Sequence, residues 1–167
     1  TGYDTFGYVF FQTLILDNKG NIILLTRAPD LRQAQNTSNI ENIRIWVDKD
    51  GSNPANDLKN ILEELSLKEK KVGVEYEAYG LTGRNALRLN ESLEGYCNLE
   101  DQSELISKIR VVKSQEEIVY VKKAAELADS ALDQAWKHTK AGASEAKILA
   151  EMQKAVLEGG GDYPANE

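Results

Sequence analysis

The chain has few of the residues from which proteins build covalent or metal cross-links. Its 167 residues include one cysteine, Cys97, and one histidine, His138. A single cysteine excludes an internal disulfide framework and a thiolate metal cage, and it fits a reducing, cytoplasmic compartment. His138 has no acidic or thiol partner at helical spacing, which is more typical of a helix end than of a metal ligand. The sequence therefore predicts a fold that depends on an apolar core.

The chain also lacks a basic excess and a long apolar run. Lys and Arg number 20 against 27 Asp and Glu, which gives a net charge of −7. A nucleic-acid-binding surface needs clustered Lys and Arg, and an anionic membrane repels an acidic protein. The longest apolar stretch, residues 22–25, is far shorter than the roughly 20 residues of a membrane-spanning helix. Neither nucleic acid nor membrane is predicted as a partner.

The first part of the chain alternates segments typical of strands and helices. Residues 6–16 are aromatic and β-branched, residues 17–20 (Asp-Asn-Lys-Gly) suit a tight turn, and residues 21–26 pair back as a second strand. A short helix is predicted over residues 29–36 and a third strand over residues 42–47. These segments predict a β-hairpin followed by a helix and another strand.

Two further helices and two short strands follow this hairpin region. Asn53 can cap a helix that starts at Pro54, and the apolar face of that helix is formed by Leu58, Ile61, Leu62 and Leu65. Strands are predicted over residues 71–75 and 96–99. The helix between them spans residues 82–93, and its packing positions are Ala86, Leu87, Leu89 and Leu93. This order predicts an α/β fold in which a mixed sheet is flanked by helices.

The last third of the chain predicts two helices that follow a linker over residues 103–113. Ser114 and Glu117 match a capping box at the start of the first helix. Apolar side chains then recur at three- and four-residue steps, at Ile118, Val121, Ala125, Ala128, Leu132, Ala135 and Trp136. Gly142 is predicted to end this helix and Ser144 to cap the next one. The inward positions of the second helix are Ile148, Met152, Ala155 and Val156.

A polar tail, residues 159–167, comes directly after the second helix. Such a helical pair has no partner for its apolar stripe. We therefore expect one α/β domain over residues 1–109. Residues 110–167 are expected to be a linker and the opening helices of a second domain that is truncated.

Several short motifs resemble one metallohydrolase family. They are Arg110-x-x-Lys113-Ser114-x-x-Glu117-Ile118, Ala124-Ala125, Ala141-Gly142-x-Ser144-Glu145, Thr1-Gly2-Tyr3-Asp4, Leu25-Thr26-Arg27 and Val72-Gly73-Val74-Glu75. In this order and spacing they resemble the creatinase/Xaa-Pro aminopeptidase family, the M24-type "pita-bread" metallohydrolases. The resemblance covers nearly the whole chain. It implies a creatinase-like N-terminal domain, lacking its first strand, joined to the start of a catalytic pita-bread domain.

Three longer motifs are similar to the ectoine-hydrolase-type branch of that family. They are Tyr3-Asp4-Thr5-Phe6-Gly7-Tyr8, Arg27-Ala28-Pro29-Asp30-Leu31-Arg32-Gln33-Ala34 and Gly159-Gly160-Gly161-Asp162-Tyr163-Pro164. That branch opens a cyclic amidine-type osmolyte. Two alternatives stay open: a Xaa-Pro dipeptidase or aminopeptidase, and a non-catalytic relative of the same fold that binds peptides or histones.

The resemblance implies that the chemistry lies outside this chain. The family binds two divalent metal ions through two Asp, one His and two Glu, all expected beyond Glu167, so no catalytic or metal-binding residue is predicted here. The chain alone is expected to be inactive and to shape the substrate pocket and dimer interface of a homodimer. The substrate is then a small molecule or a dipeptide. Residues expected near it are Tyr3, Asp4, Phe6, Tyr8, Arg27, Arg32, Tyr163, Asn166 and Glu167.

Several of these candidates have a structural alternative. Arg27 and Arg32 can hold a substrate carboxylate through two parallel hydrogen bonds, or they can form surface ion pairs with Asp30 or Glu41. The cluster of Tyr3, Asp4, Phe6 and Tyr8 can pack at a strand edge instead of reaching a neighbouring active site. Asp129 and Asp133, four residues apart on a helix, can present two carboxylates to a metal but more often form a solvated face.

Overall fold

The computed structural model describes residues 2–3 and 10–162. Contacts group the chain into two compact units, Thr1–Lys108 and Ile109–Glu167, here called unit 1 and unit 2. The strands are β1 (Thr13–Leu16), β2 (Ile22–Arg27), β3 (Asn42–Trp46), β4 (Lys71–Val74) and β5 (Asn98–Asp101). The α-helices are α1 (Leu31–Thr37), α2 (Pro54–Glu64), α3 (Gly83–Leu93), α4 (Leu105–Val111), α5 (Gln115–His138) and α6 (Glu145–Glu158).

The predicted hairpin is confirmed, with a shorter first strand. β1 pairs antiparallel with β2, and the turn between them is closed by the Gly20 N–H, which donates to the Asp17 carbonyl at 3.2 Å. Gly20 has a φ of +86°, a conformation that glycine adopts without strain. The Asn21 side chain donates to the Asp17 carboxylate at 2.6 Å, and this bond lowers the pKa of Asp17. Residues 10–12 are not in a strand, and residues 6–9 lie outside the described part.

The α/β class is confirmed, but the strands of the described residues form two small sheets instead of one. β3 lies parallel to β2, which gives a mixed three-stranded sheet in the order β1-β2-β3. β4 and β5 pair parallel as a separate sheet. Residue patterns show which segments are extended, whereas the choice of neighbouring strand depends on how the helices pack. The predicted single sheet is therefore corrected to two.

The main core of unit 1 lies between one face of the three-stranded sheet and two helices. Its buried side chains include Ile15, Ile23, Leu25 and Trp46 from the sheet, and Ala55, Leu58, Ile61, Leu62, Leu89 and Leu93 from α2 and α3. The predicted cap is present, because the Asn53 side chain accepts from the Ala55 N–H at 3.2 Å. The predicted packing position Leu87 is wrong: this side chain is 63% exposed. Leu87 and the buried Leu89 are two residues apart in sequence, which places them about 200° apart around the helix axis.

A smaller cluster covers the opposite face of the same sheet. Leu24, Ala34 and Ile40 are buried there, with Tyr3 and Ile43 packed against them. α1 follows β2 after a 3-10 turn over Ala28–Asp30 and returns the chain to β3. This crossover covers the end of β2 that carries Thr26, which is fully buried.

Unit 2 contains the predicted helical pair, with α5 packed against α6. The capping box is confirmed: the Ser114 hydroxyl accepts from the Glu117 N–H at 3.2 Å, and the Glu117 carboxylate accepts from the Ser114 N–H at 2.7 Å. Within the described part of the unit only Ala131 is buried. Trp136 of the predicted stripe is 75% exposed.

Three local predictions for the C-terminal third need correction. The segment predicted as a linker contains α4, whose start is supported by the Glu104–Lys108 ion pair at 2.5 Å. α5 ends at His138, before Gly142, because the Thr139 hydroxyl donates to the Ala135 carbonyl at 2.6 Å and the backbone becomes extended. Ser144 is at the N-cap position of α6, but its side chain makes no capping hydrogen bond.

Candidate functional site

The carboxyl ends of β2 and β3 bring the best-placed candidate residue of unit 1 together with two acidic side chains. Arg27 is the last residue of β2, and it lies opposite Trp46, the last residue of β3. Asp30 follows in the 3-10 turn, and Asp48 comes two residues after β3. Ligands of α/β proteins commonly bind beyond the carboxyl ends of parallel strands. This end of the sheet is therefore the candidate functional site.

Arg27 is held in place although its guanidinium donates no hydrogen bond to a described residue. Its guanidinium carbon lies 3.4 Å from the centre of the Phe10 ring. Nε lies 3.6 Å from an Asp30 carboxylate oxygen, and Nη1 lies 4.0 Å from an Asp48 carboxylate oxygen. Nε is buried without a hydrogen-bond partner among the described residues, and the side chain is 19% exposed. The stacked guanidinium is thus positioned by an aromatic face and two carboxylates.

The surface ion pairs predicted as the alternative role of Arg27 and Arg32 are present only in part. Arg27 does pair with Asp30, whereas its second acidic neighbour is Asp48 and not Glu41. Arg32 lies on α1, is exposed, and forms no ion pair with another described residue. Within the described part of the chain, Arg27 therefore pairs with acidic side chains at the carboxyl end of the sheet and Arg32 does not.

A partly buried polar network lies on the opposite face, at the same end of β2. Gln12 Nε2 donates to the Tyr3 hydroxyl at 2.8 Å and to the Thr26 hydroxyl at 2.6 Å. The Tyr3 and Thr26 hydroxyls lie 3.3 Å apart. Gly2 has a φ of +77°, and a Cβ there would come within 2.8 Å of the Thr37 carbonyl oxygen. The contacts with Gln12 and Thr26 thus fix Tyr3 beside Thr26, the residue that precedes Arg27.

The other residues predicted near substrate lie outside the described residues. They are Asp4, Phe6, Tyr8, Tyr163, Asn166 and Glu167. Their proximity to substrate stays a prediction, as does that of Arg27, Arg32 and Tyr3.

An open groove of about 480 Å³ adjoins the Arg27 side chain. Its lining residues come from the segment before β1, from the β3–α2 connection and from α3: Phe10, Phe11, Trp46, Asp48, Lys49, Asp50, Gly51, Ser52, Pro54, Thr82, Asn85 and Arg88. The Trp46 indole N–H donates to the Phe11 carbonyl at 2.9 Å, which fixes the aromatic floor. Such a volume is within the range of small-molecule sites.

The sequence patterns missed Phe10, Asp48 and Arg88. Asp48 had a usable signal, because it directly follows a predicted strand, where parallel strands place ligand-binding residues. Phe10 lay inside a segment predicted as strand. Arg88 lay on a helix without a distinguishing motif, so only the packing of α3 brings it to the groove.

The remaining chemical candidates show no reactive arrangement. Burial raises the pKa of the Cys97 thiol, with Lys59 opposing the shift, so that thiol is not activated. Asp129 and Asp133 are exposed on α5. Over the part of the chain that the structure describes, no three His, Cys, Asp or Glu side chains are grouped to hold a metal ion. No described helix is long and apolar enough to cross a membrane.

The creatinase/prolidase N-terminal domain family model matches residues 1–112, and the chain belongs to that family. The predicted resemblance is therefore confirmed. An uncharacterized hydrolase/peptidase of Sinorhizobium fredii is 25% identical over 98% of the chain and 43% of its own length. The ectoine hydrolase of Halomonas elongata is 25% identical over 99% of the chain and 45% of its own length. The chain thus spans less than half of these relatives.

Solved structures of peptidases share the fold. The X-Pro aminopeptidase of Thermotoga maritima superposes with a TM-score of 0.67 at 19% identity, over 89% of this chain and 40% of its own. A dipeptidase of Pyrococcus horikoshii gives a TM-score of 0.68 at 21% identity, and the match covers 95% of this chain and 42% of the dipeptidase. At these identities the likeness shows the fold alone.

Proposed function

We infer that this chain is the substrate-shaping N-terminal part of a metal-dependent hydrolase that cleaves C–N bonds. The family match over residues 1–112 carries this proposal. The two hydrolase relatives extend along almost the whole chain and well beyond it. The two divalent metal ions of the proposed activity are proposed to bind residues outside this chain. The chain itself is proposed to be inactive, and the intact protein a cytoplasmic homodimer.

Within that protein, Arg27 is the residue proposed to face the substrate. Its guanidinium is stacked on Phe10 and makes no hydrogen bond to a described residue. A carboxylate can accept two parallel N–H bonds from such a group. Asp30 and Asp48 hold the guanidinium at 3.6 and 4.0 Å, which are long distances for ion pairs. A substrate carboxylate can therefore approach without first breaking a short bond.

The proposed substrate is ectoine or a close analogue, with a Xaa-Pro dipeptide as the alternative. The ectoine hydrolase relative covers 99% of this chain, whereas the Xaa-Pro enzymes support the fold. Both substrates carry a carboxylate, so Arg27 serves either of them.

Hydrolysis assays of the intact protein with Mn²⁺ test this proposal. We expect release of the ring-opened product from ectoine and a lower kcat/KM for Xaa-Pro dipeptides, by about tenfold or more, since a site built for one set of polar groups rejects a substrate lacking them. Higher kcat/KM for the dipeptide would select the alternative. Absence of hydrolysis of both substrates, in a protein shown to be folded, would reject the hydrolase proposal.

A further inference from the structure

The groove next to Arg27 contains three charged side chains that form no ion pair with the residues that the structure describes. Lys49, Asp50 and Arg88 line it, and none of the three forms an ion pair with a described residue. Arg88 is half-buried on α3, beside the half-buried Asn85. Arg27 does not line the groove, although its neighbours Phe10 and Asp48 do. The groove is therefore a concave surface that presents charges of both signs, with Lys49 and Asp50 exposed and no ion pair to the three side chains within the described part of the chain.

We propose that this groove binds a small zwitterion, and that Arg88 is the residue that selects its carboxylate. The guanidinium of Arg88 offers a planar pair of donors that fits a carboxylate. Lys49 adds a second positive charge, and Asp50 and Asp48 supply the negative side for the cationic end of the ligand. The aromatic floor of Phe10, Phe11 and Trp46 contacts the ligand's carbon skeleton.

The charge pattern selects a zwitterion over a simple anion or cation. A plain carboxylate would place its charge near Arg88 while leaving Asp50 unpaired. A plain amine would leave Arg88 and Lys49 unpaired. A molecule with both groups compensates both sides within a space of about 480 Å³, which is within the range of small-molecule sites. This inference assigns a ligand class to unit 1 itself, whether or not the intact protein hydrolyses ectoine.

The two tryptophans of the chain allow a direct test by NMR. Trp46 lines the groove, and Trp136 lies on α5 in unit 2. In a ¹⁵N-labelled sample we expect 4-aminobutyrate to shift the Trp46 indole N–H signal with a Kd on the order of 1–10 mM, typical of a ligand with few heavy atoms. The Trp136 signal should stay in place. Butyrate and butylamine, which each keep one charged group, should bind at least about fivefold more weakly.

Variants of α3 identify the residue responsible. Arg88→Gln should weaken 4-aminobutyrate binding by about tenfold or more, while Arg88→Lys restores part of it, because the charge returns without the paired donors. Arg84→Gln is the matched control: Arg84 lies one turn earlier on α3, is exposed and does not line the groove. Its affinity should equal that of the wild type.

Four results would overturn the proposal. They are an unmoved Trp46 signal, parallel shifts of Trp46 and Trp136, butyrate or butylamine binding as tightly as 4-aminobutyrate, and equal affinities of Arg88→Gln and wild type. Amide spectra of each variant show whether it is folded. If the binding test fails while the intact protein still hydrolyses ectoine, the proposed zwitterion site is rejected. The proposed hydrolase function is then unaffected.

Discussion

Replacing Leu25 with alanine is expected to lower the free energy of unfolding of unit 1 by about 3 kcal/mol. Leu25 is 1% exposed and lies in β2, which pairs with β1 on one side and β3 on the other. Its side chain belongs to the core that α2 and α3 cover. Because strands and helices contact it from several sides, the cavity cannot close by moving one element. Urea unfolding followed by circular dichroism measures the loss.

Leu16→Ala is the matched control, since it removes the same atoms from the neighbouring strand β1. Leu16 is 56% exposed, so its truncation should cost less than about 1 kcal/mol. The urea m-value should be the same for both variants if only stability changes. Equal losses for Leu25 and Leu16 would mean that the described core is not where unit 1 gains its stability.

Replacing Arg27 with glutamine in the intact protein is expected to lower kcat/KM by about 10- to 100-fold, mainly through KM. Arg27 is proposed to hold the substrate carboxylate from the start of binding, so the interaction exists before and during the chemical step. Glutamine keeps two N–H donors but is shorter and loses the charge and the fork geometry. Steady-state kinetics with ectoine and with a Xaa-Pro dipeptide give the two constants separately.

Arg44→Gln controls for the loss of a positive charge on the same sheet. Arg44 is in β3, is half-exposed and pairs with Glu64 at 2.9 Å, so the change should leave both constants within about twofold, as expected for a surface ion pair. The variant Arg32→Gln tests the other predicted arginine by itself. Arg32 is exposed on α1. An unchanged KM for Arg27→Gln, with native circular dichroism, would assign Arg27 a purely structural role.

Local patterns predicted most of the secondary structure, since the signals act over a few residues. The Asp17–Gly20 turn, the Asn53 cap and the Ser114–Glu117 capping box all appear as predicted. Each depends on hydrogen bonds between residues no more than four positions apart. The separation of β4 and β5 from the larger sheet was not predictable in this way, because it depends on contacts between distant segments.

The candidate site was only partly predictable for the same reason. Arg27 was identified from its motif, and its pairing with Asp30 follows from their three-residue separation. The stacking of Phe10 on Arg27 joins segments 17 residues apart in sequence, and Arg88 reaches the groove only through the packing of α3. No local spacing rule contains this information.

We propose that this chain supplies substrate contacts and that the metal centre belongs to the rest of the intact protein, and a thermal melt with added metal separates these two roles. The melting temperature of the chain should be the same, within about 1 °C, with and without Mn²⁺ or Zn²⁺, because a ligand stabilises a protein only through a native site. The intact protein should melt at a higher temperature when either metal is added. A clear metal-dependent rise in the melting temperature of the chain alone would show a native metal site within it and would reject the proposed division of roles.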